Sequence, residues 1–545
     1  MPVPAPEMLP AREESALNDD NPPRGVRRFL AILSTHNRAA LVVVLLALFL
    51  ALRLAYIGAD PVVSLPNGVP VYELFTDPPA KSYEARNWAL FGQWSLSALD
   101  NYKFWRIQAP VWVYPIAGFY RLFGVGYVQL RVFSTICAAA GLVALLALAA
   151  QRLRGWSFFF AGAFLTFNYY DIIFSRSGLI ESLLTTFAVI TILFTYLAQR
   201  RLAWVLAAQW ALLLAYLTKM SGIHLIPVAL IGGVVAYVRH VRQGCPAWLR
   251  VAVPVQAAAI IAGVSWYVSR PAYWRTLAWN YGHALFNDGG IQDVQVSKIP
   301  VGVALHRLLS GSTWGAGYMA LFPIAGALAL IELARLLYLV ARRRGVESWE
   351  ILVAGWFASS FGVLLLTPML WVHYRLVLFP PVALLAASLI HAVFGAPWLA
   401  RRAWLRHTIA GTLLFADLAV HGWWLRGLVV NRSYHMVAAT RAITSKMGNE
   451  GHVFAGMWAA PLLFGTKQKW FYVKELFNST PEILAGIGLT HVIDLNRGDL
   501  ANAMIWRSHP AAQRSRQKLL QLRLRGAAVT LYKYGVPPSK ATIKR

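Results

Sequence analysis

Long apolar runs follow one another through most of this chain, and short clusters of arginine fall between alternate ones. The runs lie near 39–58, 128–150, 156–170, 179–198, 203–218, 222–238, 251–268, 317–340, 351–367, 375–396 and 408–425. Each is suited to a hydrocarbon core about 30 Å thick, where the backbone must satisfy its own hydrogen bonds and an apolar run becomes a helix. With 58% of 545 residues hydrophobic, the chain holds more apolar surface than a soluble interior can hide. It reads as an α-helical polytopic membrane protein of about eleven spans.

The arginine clusters orient it. Arg24/Arg27/Arg28, Arg152/Arg154, Arg200/Arg201, Arg239/Arg242, Arg342/Arg343/Arg344 and Arg401/Arg402/Arg406 all occupy alternate connections, which places those connections in the cytoplasm. The net charge of +28 is then matched to anionic lipid headgroups, not to nucleic acid. Residues 1–28 lack the apolar core and cleavage pattern of a signal peptide and are expected to form a disordered cytoplasmic tail ahead of a transmembrane module over 29–426. Cys137 sits in an apolar run and Cys245 in a cytoplasmic connection, so no disulfide is expected between them.

The opposite side receives a first loop over 59–127, links at 171–178 and 218–221, a loop over 269–316, the turn 367–374 and everything after 427. Within the first loop, Ser82 to Phe91 patterns as an amphipathic helix, and Trp105, Trp112, Tyr114, Phe119 and Tyr120 suit a membrane interface, predicting a loop that lies along the bilayer. Beyond 427 the composition shifts. His452 to Ala455, Thr490 to Leu495 and Val529 to Tyr534 pattern as strands, and Pro481 to Gly486 and a basic run near 500–524 as helices. A small extracytoplasmic α/β domain over 427–545, ending in a flexible tail, is expected.

Ionisable residues gather on that outer face: Asp77, Lys81, Glu84 and Arg86 in the first loop, Asp171, Arg176 and Glu181 around one link, Lys219 and His224 at another, His373 and Arg375 at a third, with Arg270 and Arg275 opening the loop over 269–316. Taken singly, each has the competing reading of a snorkelling interfacial anchor. Together they describe a cation-rich pocket beside carboxylates. That combination suits departure of a phosphate leaving group from a lipid-linked sugar while an acceptor hydroxyl attacks: Arg and Lys hold the phosphate, and a carboxylate takes the proton. The sequence holds no nucleotide-phosphate loop, no His-Glu-x-x-His and no cysteine pairs at zinc spacing.

The order of short motifs resembles the GT-C superfamily of polyprenyl-phosphate-sugar-dependent glycosyltransferases, near the bacterial branch related to protein O-mannosyltransferases and lipid A aminoarabinose transferases. Over roughly residues 40–395, Asp77, Ala85-Arg86 and Gly92-Gln-Trp94 match the family's first outer loop. Gln108-Ala-Pro110, Phe123-Gly124, Arg131, Phe174-Ser-Arg176 through Glu181, Leu217-Thr-Lys219, and His373-Tyr-Arg375-Leu ahead of Pro380-Pro381 follow in register. Two positions depart from the pattern: Pro78 stands where the family commonly has Glu, and Lys81 where an aromatic is frequent. If a second acid is required, Glu84 or Glu73 would serve.

The resemblance implies an integral-membrane hexosyl- or pentosyltransferase of a bacterial inner membrane, with a periplasmic active site and inversion at the sugar carbon. Asp77 is the expected base or acceptor-orienting carboxylate, with a helix N-cap as its competing reading. Glu84 is the candidate second catalytic acid. Arg176, Lys219 and Arg375, assisted by His373, are expected on the donor phosphate, and Arg86 and Lys81 are expected to order the loop or meet the acceptor. Neither a cofactor nor a divalent metal is expected. The partners implied are a polyprenyl-phosphate sugar, membrane lipids and a lipid, glycan or protein acceptor. The basic stretch from Arg507 to Arg525 reads either as a grip for an anionic acceptor or as a solvated helix face. An oligosaccharide ligase would share the leaving group. A transporter would instead place charges at the bilayer midplane, between repeated halves.

Overall fold

The computed structural model describes residues 38–62, 64–66, 71, 73–96, 105–274, 300–312, 315–366, 372–447, 453–456, 459–471, 488–495, 510–524 and 527–534. Arg24, Arg27, Arg28, Arg275, Pro481 to Gly486 and Arg507 lie outside them, as does the expected cytoplasmic tail.

All eleven apolar runs are helical. Among the described residues, eight helices are long and apolar enough to cross a membrane. A ninth span results if the pair Gly155–Thr166 and Tyr169–Ser175, bent by 56°, is taken as one. The other two are Ala203–Thr218, with 16 residues and about 24 Å of helix, and Arg38–Leu54, with 17 residues from the first described one. The bend is built locally: the Asn168 side chain caps Tyr169–Ser175 by accepting from the Asp171 backbone N–H at 3.1 Å. Exposed Leu230, Ile231, Val251, Ile261, Leu337 and Phe415 turn outward on the helices, the arrangement of a multi-pass membrane protein.

The first outer segment forms three helices that matter for the site, Glu73–Lys81, Tyr83–Phe91 and Pro110–Phe123. Pro78 and Pro79 sit inside the first of them. Pro79 has no N–H for the Phe75 carbonyl one turn back, and the Tyr127 hydroxyl donates to that carbonyl at 3.1 Å instead. The second helix ends at Gly92, whose left-handed φ of 71° only glycine adopts without cost. This turn brings Trp94 back to stack on Trp88, with ring centroids 5.3 Å apart, which accounts for the Gly-x-Trp spacing.

The C-terminal region is a five-stranded mixed sheet in the order Lys469–Phe471, Val453–Ala455, Leu489–Leu495, Ala527–Lys533, Gln517–Leu524. The first two pairings are parallel and the last two antiparallel. Of the basic run expected to be helical, residues 500–509 lie outside the described residues, Pro510–Ser515 is helical, and Gln517–Leu524 is instead a strand at the edge of the described sheet, where Lys518 and Arg523 discourage pairing with other chains. One hydrophobic core joins this region to the outer helices, with Phe75, Tyr83, Trp112 and Tyr120 packed among Met436, Leu463, Trp470 and Leu531. The helix over Tyr83–Phe91 therefore buries its first turns, Tyr83 to Asn87, against protein.

Arg86 locks that contact. It is fully buried and donates to the carbonyls of Phe464 at 2.8 Å, Leu463 at 3.3 Å, Thr466 at 2.7 Å and Gln468 at 2.6 Å, and to Asn87 Oδ1 at 3.0 Å. Burial pushes its pKa down to about 9, which leaves it cationic at neutral pH. Tyr83 adds a hydrogen bond from its hydroxyl to the Trp470 carbonyl at 2.9 Å. Replacing Arg86 with Ala takes the donor from the buried carbonyls of Phe464 and Gln468 and empties a buried cation site, so Arg86→Ala should lower stability by about 3 kcal/mol while the spans remain inserted. Thermal unfolding in detergent, with limited proteolysis reporting release of residues 459–471, measures this.

Candidate functional site

Four segments remote in sequence meet around the Glu181 carboxylate at the start of span Glu181–Ala198. Lys219 Nζ, at the junction after Ala203–Thr218, donates to Glu181 Oε1. Lys81 Nζ reaches the same oxygen at 3.6 Å from the end of Glu73–Lys81, and His373 Nε2 lies 3.6 Å from it. Asp77, one helical turn before Lys81, is paired with it at 3.1 Å and lies 3.9 Å from His373 Nε2. The Tyr374 ring closes the group, its centroid 3.9 Å from Lys219 Nζ.

The two carboxylates differ in access. The Glu181 side chain is 1% exposed and surrounded by cations, whereas that of Asp77 is 35% exposed and can meet an incoming molecule. Glu181 is thus the counter-ion that holds the lysines, and Asp77 is the more accessible of the two carboxylates. Arg375 follows His373 on the same turn, Val372–Leu378, and is 1% exposed. None of its three guanidinium nitrogens has a hydrogen-bond acceptor among the described residues. A buried cation without an acceptor is costly, and an anionic ligand is the usual remedy. Within the cluster Lys81 and Lys219 balance Asp77 and Glu181, and Arg375 adds a further buried positive charge near Tyr170. Among the described residues, no group of three His, Cys, Asp or Glu is placed to hold a metal ion.

Asp77, Lys81, Lys219 and His373 thus come together, with Arg375 on the same turn, and three expectations require correction. Asp77 lies within Glu73–Lys81, so it does not cap the helix Tyr83–Phe91. Glu84 is fully buried and accepts from the Arg106 backbone N–H, with Arg106 Nε 3.8 Å away; it holds the turn Trp105–Gln108 and stands apart from Asp77. Arg176 lies with Arg131 in a different pocket and donates to the Tyr56 carbonyl at 2.9 Å. Arg86 orders its segment through the carbonyls of 463–468.

Two further charges are structural. Arg53 pairs with Asp171 and donates to Ser175 Oγ at 2.8 Å and to the carbonyls of Leu165 and Thr166 at the helix bend. Arg270 lies over the Trp266 ring at 4.0 Å, as an interfacial anchor does. Glu181 is the site residue that sequence reasoning placed on the right face without giving it a role. The signal available was its position at the start of a span, directly before an apolar helix, where an unpaired carboxylate would be costly.

A family model described as dolichyl-phosphate-mannose-protein mannosyltransferase matches residues 108–266. No curated protein matches this sequence. Among solved structures, ArnT from Cupriavidus metallidurans in the apo state is similar at a TM-score of 0.56 and 14% identity, over 90% of this chain and 97% of that one. The same protein bound to undecaprenyl phosphate gives 0.54 at 15% identity, over 91% and 97%. The Archaeoglobus fulgidus oligosaccharyltransferase tethered to an acceptor peptide gives 0.54 at 13% identity, over 85% and 70%. The chain has the GT-C fold, as the resemblance in its motifs implies.

An unsatisfied buried guanidinium has a measurable consequence for the ligand-free protein. Replacing Arg375 with Met should leave the empty protein about as stable as before or up to about 4 kcal/mol more stable, as for other buried ions exchanged for apolar groups of similar volume. Thermal unfolding of the purified ligand-free variant checks this, and a destabilised variant would show that Arg375 is already satisfied within the fold.

Proposed function

We propose that this protein is an integral-membrane glycosyltransferase that moves a single sugar from a polyprenyl-phosphate donor to an acceptor hydroxyl. The observation that carries the reading is a partly exposed carboxylate, Asp77, beside the buried cations Lys81 and Lys219, with the acceptorless Arg375 on the adjoining turn. The GT-C fold supports it, as does the similar ArnT, which is known bound to undecaprenyl phosphate.

In this reading the acceptor oxygen attacks the anomeric carbon from the side opposite the phosphate. The new C–O bond forms as the bond from that carbon to the phosphate oxygen breaks, and the configuration inverts. Asp77 takes the hydroxyl proton; Lys219, Arg375 and Lys81 hold the phosphate as it gains charge. Glu181 keeps the lysines cationic and in place, and His373 Nε2 lies near both carboxylates, 3.6 Å from Glu181 and 3.9 Å from Asp77. The site faces the periplasm of a bacterial inner membrane, with the N-terminus in the cytoplasm and the C-terminal sheet outside, because the arginine clusters occupy the other ends of the helices.

Incubation of purified protein with a panel of labelled polyprenyl-phosphate monosaccharides tests the reading directly: one or more should be consumed, and the label should move to an acceptor. Asp77→Asn should lower turnover by about 10² to 10⁴-fold while donor affinity changes by less than about twofold. Full turnover in that variant would remove Asp77 from the mechanism.

A further inference from the structure

A groove of about 450 Å³ runs beside the last turns of the span Ala403–Val430 and the segment 60–66. Ligand sites commonly run from about 300 to 1,000 Å³, so it has room for a headgroup-sized molecule. Tyr169, Trp424, Asn431 and Arg432 are among its lining residues, and no residue of the Glu181 cluster is. Asp60, Val62 and Leu428 in its wall also line a nook of about 20 Å³, room for one water-sized oxygen, together with Arg131 and Arg176.

Arg176 is 8% exposed, and its one hydrogen bond among the described residues goes to the Tyr56 carbonyl at 2.9 Å. A guanidinium has five N–H donors, so most of this one lacks an acceptor. Burial, and then the neighbouring Arg131 and Arg53, push its pKa down to about 10, which leaves it cationic at neutral pH. The Asp60 carboxylate in the same wall directs its oxygens elsewhere. It accepts from Ser433 Oγ at 2.7 Å and from the backbone N–H groups of His435 at 2.8 Å and Met436 at 3.1 Å, where the helix His435–Met447 begins. Arg432 is exposed, donates to the Val429 carbonyl at 2.7 Å and lies over the Tyr56 ring at 4.5 Å. Arg176 and Arg432 therefore meet around one residue, Tyr56, each with donors to offer.

Such a pair suits an anion with several acceptor oxygens. The surroundings point to its source. Ala403–Val430 turns Phe415, Val429 and Val430 outward, and the exposed Trp423 beside the groove carries Arg426 over its ring. Aromatic and cationic side chains grouped at the end of a span mark the depth of lipid headgroups.

We infer that this groove holds the headgroup of an anionic phospholipid, its phosphodiester on Arg176 and Arg432 and its acyl chains along the exposed face of Ala403–Val430. This lipid is not a reactant, and the inference stands independently of the reaction proposed above. Because Asp60 both lines the groove and caps His435–Met447, the bound headgroup braces the junction between the span and the C-terminal region.

The test is lipid binding by purified, delipidated full-length protein, followed by native mass spectrometry with phosphatidylglycerol and phosphatidylcholine of matched chains. One phosphatidylglycerol should bind about tenfold more tightly than phosphatidylcholine. Arg176→Met and Arg432→Met should each weaken phosphatidylglycerol binding about tenfold, whereas Arg426→Met, near the groove but not in its lining, should stay within about twofold. Arg432 is exposed, so its variant decides the matter even where Arg176→Met fails to fold. Equal affinity for the two lipids, undiminished binding in Arg432→Met, or an equal loss in Arg426→Met would overturn the site. Displacement of the bound phosphatidylglycerol by an equal concentration of polyprenyl phosphate would assign the groove to the donor, and displacement by an equal concentration of inorganic phosphate would assign it to a free anion; either result overturns the inference.

Discussion

The arrangement of the site depends on one buried carboxylate. Removing an ion from water costs several kcal/mol even after relaxation, and Glu181 is tolerable at 1% exposure only because Lys219 and Lys81 both reach it. Satisfying it draws together the outer helix Glu73–Lys81, the start of Glu181–Ala198, the junction at Lys219 and the turn Val372–Leu378. Asp77 inherits its position from this constraint, since it shares Lys81 with Glu181 at helical spacing. The carboxylate proposed for proton transfer is thus placed by another that has no access to substrate.

A second constraint comes from the C-terminal region. Arg86 fixes the outer helix Tyr83–Phe91 to the carbonyls of 463–468, and Glu84, its near neighbour, fixes the turn at Trp105. Charges only a few residues apart therefore serve different ends. Asp77 and Lys81 enter the ion cluster, whereas Glu84 and Arg86 hold the scaffold around it. The sheet is more than an appendage, because its core is continuous with the helices that carry Asp77.

Much of this was legible in the residues. Apolar run length gave the helices, arginine clusters gave the expected sidedness, and the polar outer links gave Lys219, His373 and Arg375 as neighbours. Local spacing failed where the partner is remote. Arg86 finds its acceptors some 377–382 residues away, and Arg176 turns to the Tyr56 carbonyl, which no side-chain pattern announces. Gln517–Leu524 has helix-compatible composition, but antiparallel pairing with Ala527–Lys533 makes it a strand.

In the proposed reaction a lipid-linked phosphate completes the site formed by Lys81, Lys219 and Arg375. The most direct test is the thermal unfolding of purified protein with polyprenyl phosphate, compared with the uncharged polyprenol. At about a hundred times its Kd, the phosphate lipid should stabilise the wild-type protein by about 2.7 kcal/mol, the polyprenol should do little, and Arg375→Met should lose most of the gain. Equal stabilisation by both lipids, or an undiminished response in Arg375→Met, would contradict the account.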